Sequence, residues 1–135
     1  MISHNLSVIR RRLCSFSVLL VLALPLPCPA APPDGAISPG QAAEMVGKRV
    51  TVCGRVANTY YSCFVSKKPT FINFGKPYPD HVFSVAILGK DRDNFGDCPE
   101  KLFADRNVCV TGLIESYEGK PLMAVQNQTQ VQWND

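Results

Sequence analysis

At 135 residues, with 19% charged and 9% aromatic side chains, the chain has room for one domain with one modest core and excludes a two-domain enzyme with a large interior. Its formal charge of +3 overstates its basicity. Three of the 14 basic residues are Arg10, Arg11 and Arg12 in a leader, and without them 11 basic residues face 11 acidic ones, which excludes the overall positive field of a duplex-coating protein.

The leader reads as an export signal over residues 1–30. The arginines precede an apolar run from Leu13 to Leu26, and Cys28-Pro29-Ala30 places small residues where a signal peptidase reads. The run is short for a bilayer span and is broken by Pro25 and Pro27. The expected location is therefore periplasmic or extracellular, with cleavage near Ala30. The mature part is dipolar: residues 31–90 hold seven Lys/Arg against three acids, and residues 91–135 hold four against eight.

Residues 31–36 (APPDGA) read as a flexible tether, and residues 37–133 as the domain. Ser38, Pro39 and Gln41 predict a capped helix start, stopped by Gly47, with few apolar residues and so a short lid. Val50, Val52, Gly54 and Val56 alternate with Arg49, Thr51, Cys53 and Arg55 as in a strand. The same phrase returns at Val108, Val110, Gly112 and Ile114, and the paired glycines predict matched bends in a small barrel. Residues 58–68 (NTYYSCFVSKK) read as a polar, aromatic and basic connection. In the next strand Thr70, Ile72 and Phe74 point to the core, and Phe71, Asn73 and Gly75 point the other way. Residues 81–88 are again strand-like. Alternation then stops over residues 89–105, where Asp91, Gly96 and Pro99 mark a short acidic helical insert. Tyr117-Glu118-Gly119-Lys120 predicts a hairpin turn, a fifth strand comes next, and a glutamine-rich end closes with Trp133.

Cys53, Cys63, Cys98 and Cys109 lie beyond the leader. An even count in an exported chain predicts disulfides, with three connectivities open. If the two Val-x-Val-x-Gly strands are antiparallel neighbours, Cys53 and Cys109 share a side and can meet. No Cys-x-x-Cys knuckle supports zinc, and no metal or other cofactor is expected.

Five short strands with a helix between the third and fourth describe an all-β, Greek-key oligonucleotide/oligosaccharide-binding barrel, the OB-fold. Residues 46–56 (VGKRVTVCGRV), 68–89 (KPTFINFGKPYPDHVFSVAILG), 91–96 (DRDNFG) and 108–123 (VCVTGLIESYEGKPLM) resemble small bacterial exported OB domains. Those domains are related to the anticodon-binding type and to OB domains found beside thermonuclease-like domains. The resemblance covers most of residues 37–131 and implies a nucleic-acid-binding barrel. It places Phe71 where an aromatic ring stacks on a base, with Asn73 and Lys76 on the same exposed strand and its exit. Glu118 departs from the family pattern, standing where a basic residue would help binding, and Cys63 with Cys98 look like an extra pair.

The expected ligand is single-stranded DNA or RNA. Phe71 with Asn73 and Tyr117 would meet bases, and Lys67, Lys68, Lys76 and Lys120 would meet phosphates. A protein or glycan partner on the same face is the alternative. Catalysis is not expected: beyond the leader there is one histidine, His81, and no Gly-x-Ser-x-Gly or His-Glu-x-x-His motif is present. Asp91, Asp93 and Asp97 lack the spacing of a calcium loop.

Overall fold

The computed structural model describes residues 31–96 and 98–134. Residues 1–30, where the export signal is expected, lie outside the described residues, as do Asp97 and Asp135. Among the described residues no helix is long and apolar enough to cross a membrane.

Six strands form the fold: β1 (Arg49–Tyr61), β2 (Thr70–Phe74), β3 (Phe83–Ile87), β4 (Asn107–Tyr117), β5 (Lys120–Ala124) and β6 (Val131–Trp133). Their order is β1-β2-β3-β5-β4-β6, and pairing of β1 with β4 closes the first five into a barrel. All neighbours are antiparallel except β3 and β5. This is the all-β, five-stranded OB architecture that the alternating segments predict. The three-residue β6 is an addition that the polar, glutamine-rich sequence does not announce. It takes the remaining edge of β4, pairing Val110 with Val131.

The core obeys the period-two pattern. Ile72 and Phe74 of β2, Phe83, Val85 and Ile87 of β3, and Val108, Val110 and Ile114 of β4 are fully buried. Phe95 and Phe103 of the insert are buried with them, and removing each large apolar side chain from water stabilises the fold by about 1.5–3 kcal/mol. The insert matches its signals: a 3-10 turn over Gly89–Phe95, ended by Gly96 in the left-handed region, and α1 (Pro99–Leu102). Leu88 rather than Asp91 occupies the first cap.

The predicted N-terminal helix is a 3-10 segment, Pro39–Met45, with the Ser38/Gln41 capping box in place. Ala42 at its centre is fully buried, and the segment packs on β1, β3 and β5. The two repeated glycines make room for close approaches. A Cβ at Gly54 would lie 2.6 Å from Cγ of Pro39, and one at Gly112 would lie 2.9 Å from Cγ of Met123.

β1 outruns its prediction. The alternation breaks at a bulge where the register shifts between Val56 and Asn58, and the strand continues to Tyr61 through residues that read as a connection. A bulge inserts an extra residue and turns the succeeding side chains to new faces. Before it β1 pairs with β4, and after it with β2.

Cys53 stands opposite Cys109 in the β1–β4 register, and the two form a disulfide. The extra pair is not formed. Cys63 is a thiol on the exposed β1–β2 loop, and Cys98 is a thiol at the start of α1. Instead, α1 is held to the barrel by polar contacts: Thr59 donates to the Glu100 carbonyl at 2.6 Å. Arg92 donates to the Glu100 carboxylate at 2.8 and 3.2 Å and to the Thr70 hydroxyl. The same guanidinium lies 4.2 Å from the centre of the Tyr61 ring. Hydrogen bonding between Arg92 and Glu100 raises the pKa of the arginine and lowers that of the carboxyl.

Candidate ligand groove

A groove of about 330 Å³ runs across the barrel face where the second half of β1, β2, the β2–β3 loop and the β4–β5 hairpin meet. Its rings form a row. Phe71 lies 5.3 Å from Tyr60 and 6.5 Å from Tyr117, centre to centre, and Tyr60 lies 6.2 Å from Tyr78. The bulge in β1 creates the first contact by setting Tyr60 opposite Phe71. Tyr117 and Tyr78 remain about half exposed, so the row is open to a ligand along one side.

Beneath the rings the polar groups are already engaged. Asn73 is 1% exposed. Its amide donates to Asn58 Oδ1 at 3.0 Å, and its oxygen accepts from the Ser84 hydroxyl at 2.8 Å. Asn73, expected to meet a ligand, lines the groove with its side chain hydrogen-bonded to cross-strand neighbours on β1 and β3.

Lys120 is also committed. Its ammonium donates to the carbonyls of Pro79 at 2.7 Å and His81 at 2.8 Å, joining the β4–β5 hairpin to the β2–β3 loop. Two of its three donors hold a wall of the groove. The hairpin reaches over because Glu118 and Gly119 both take positive φ, 50° and 77°, as a tight two-residue connection requires. On the opposite wall the His81 ring stacks on Tyr78 at 5.8 Å. Burial, then the charge of Lys120, lower the His81 pKa against the pull of Asp80, which favours a neutral imidazole. Burial, with the neighbouring Tyr78, Tyr117 and Glu118, raises that of the Tyr60 phenol.

Of the residues expected at a binding face, the fold brings Phe71, Asn73, Tyr117 and Lys120 to the groove as lining. Lys67, Lys68 and Lys76 are exposed but outside its lining. Tyr60, Tyr78 and His81 complete the site. Tyr60 and Tyr61 fall in the stretch read as a connection, where the sequence leaves open whether either ring stacks on a ligand. Tyr78, set between two prolines in the KPYP phrase, carried the one sequence signal for an ordered aromatic turn.

Fold and groove together define an OB-type barrel with an aromatic face. No family model matches the chain, and no curated protein does. Among solved structures, one similar chain is an OBody, AM1L10, described as bound to hen egg-white lysozyme. It shows 16% identity and a TM-score of 0.50, covering 78% of this chain and 97% of the other. A protein assigned as an aspartyl-tRNA synthetase of Leishmania major Friedlin matches at 16% identity and a TM-score of 0.47, over 82% of this chain and 23% of that one. Asparaginyl-tRNA synthetase of Pyrococcus horikoshii matches at 16% identity and 0.43, over 67% and 20%. The chain thus spans less than a quarter of each synthetase.

Proposed function

We propose that this chain is an exported OB module that binds short single-stranded nucleic acid without chemically altering it, by stacking bases along Tyr60, Phe71, Tyr78 and Tyr117. The carrying observation is the continuous ring row, partly open to solvent, on one barrel face. Stacking contributes about 1–3 kcal/mol per base and accepts any base, because each has a π-face. Two or three stacked bases give binding that reaches roughly the micromolar range at best. A binding role is supported by the use of Asn73, Ser84 and Lys120 to hold neighbouring protein atoms and so shape the groove. The Cys53–Cys109 disulfide fits an oxidising compartment outside the cytoplasm.

The disposition of charge refines this reading. With Lys120 occupied and Glu118 on the rim, one or two phosphates at most are neutralised near the groove. Affinity should then fall with log salt at a slope of about −0.7 to −1.4. The same neutrality favours a second reading, an uncharged glycan or a protein surface as ligand, and the OBody bound to lysozyme is an OB-fold neighbour described with a protein partner.

Fluorescence anisotropy with labelled oligo-dT, oligo-U and a neutral oligosaccharide tests both. The nucleic-acid reading expects oligonucleotide binding that Phe71→Ala weakens at least about tenfold, the loss of one stacked base. Saturable oligosaccharide binding with no oligonucleotide binding would replace it with the second reading.

A further inference from the structure

The β1–β2 loop, residues 62–69, carries an exposed apolar tip, of which Val65 borders the groove and Phe64 does not. Phe64 is 98% exposed, and Val65 beside it is 43% exposed. This exposure is imposed by a closed turn. Ser62 N–H donates to the Pro69 carbonyl at 2.9 Å, Lys68 N–H to the Val65 carbonyl at 3.0 Å, and Gly89 N–H to the Lys67 carbonyl at 2.9 Å. Lys67 and Lys68 hold positive φ, 65° and 44°. Gly89 lies so close beneath them that a Cβ there would be 2.9 Å from the Lys67 oxygen. These bonds hold the loop backbone closed with Phe64 at its exposed tip.

Around that base the charge has one dominant sign. Lys67, Lys68 and Lys90, the residue after Gly89, are all exposed, while Asp91 has a carboxylate oxygen buried. An apolar tip above a collar of ammonium groups matches the layering of an anionic lipid surface, where phosphates lie outside a hydrocarbon layer that accepts a ring.

We propose that this loop docks the protein reversibly on anionic phospholipid, with the Phe64 ring entering the headgroup–acyl boundary and Lys67, Lys68 and Lys90 meeting lipid phosphates. The favoured partner is a bilayer because the almost fully exposed Phe64 ring makes no ring contact with Tyr60, Phe71, Tyr78 or Tyr117 and stands beside exposed lysines. Phe64 is not part of the groove lining, whereas its neighbour Val65 is, so a reporter at residue 64 reads the tip itself.

The test places a reporter at the tip. In the full chain, Phe64→Trp with Trp133→Phe leaves one tryptophan at residue 64. Vesicles of phosphatidylglycerol and phosphatidylcholine, with and without brominated acyl chains, are then added. The proposal expects a blue-shifted emission quenched by the brominated lipid. Lys67→Glu with Lys68→Glu should reduce vesicle partition at least about tenfold, as loss of two near-surface cations implies, and vesicles of phosphatidylcholine alone should give little shift. Phe71→Ala should leave the signal unchanged. Unshifted emission at residue 64 overturns the proposal, whether the protein sediments with the vesicles through another segment or stays in solution.

Discussion

The two halves of β1 do different work. Before the bulge, the strand faces β4 across seven paired residues from Arg49 to Arg55, a disulfide joins the pair, and Val52 and Val56 fill the core. After the bulge, the strand faces β2, and its side chains build a groove from rings and an Asn58–Asn73–Ser84 hydrogen-bond chain. The first half is held by burial and a covalent link, whereas the second is held by polar contacts that each contribute about 0.5–1.5 kcal/mol. The core and the aromatic groove are thus placed in series on one strand, separated by a single irregularity.

The sharpest way to break that division is at the covalent link. Cys53→Ser with Cys109→Ser opens a closure of 56 residues and should cost about 4 kcal/mol by loop entropy. Denaturant melts should show this loss while ligand affinity of the remaining folded protein is retained, and a comparable loss of affinity would mean that the halves are coupled. On the groove side, Asn73→Ala removes the partner of both Asn58 and Ser84 and should cost about 1–3 kcal/mol, with ligand binding weakened as the groove lining relaxes. Lys120→Met should cost less, about 1 kcal/mol, because the released carbonyls of Pro79 and His81 can reach water. It should still lower affinity by freeing the Tyr78 wall, and unchanged binding would remove the lysine from that role.

The smallest effect is a pH dependence. His81 has a lowered pKa in the fold, so its stabilising contribution is complete above the ordinary histidine value of about 6.5 and is lost as pH falls through the folded value. Glu100, also lowered, contributes above the ordinary glutamate value of about 4.3 and is lost below its own folded pKa. Thermal melts at stepped pH should show two acid-side declines. His81→Gln should remove only the upper one, and its persistence would assign that phase to another group.

The barrel was legible in the sequence because its core strands obey a period of two and its turns carry glycine or proline at the required places. Cys53 and Cys109 were legible for the same reason, since two similar strand phrases set the register between them. The groove was only half legible. Phe71 and Tyr117 sit on regular strands, but Tyr60 owes its position to a bulge, and local alternation carries no sign of where an extra residue will be inserted. The roles of Asn73 and Lys120 depend on partners 11 to 41 positions away, a range at which residue type alone fixes neither contact. The pairing of Cys63 with Cys98 drew on count and family likeness, and the fold leaves both as thiols.

The small strand β6 and the bridge between Ile37 and Val52 also limit how other chains can join this one. β6 covers backbone of β4, and Ile37 exchanges hydrogen bonds with the backbone of Thr51 and Cys53 at 2.9 Å each. Both occupy strand margins that would otherwise template a foreign strand. The margin left for strand addition is reduced to the three-residue β6, too short to template a long foreign strand.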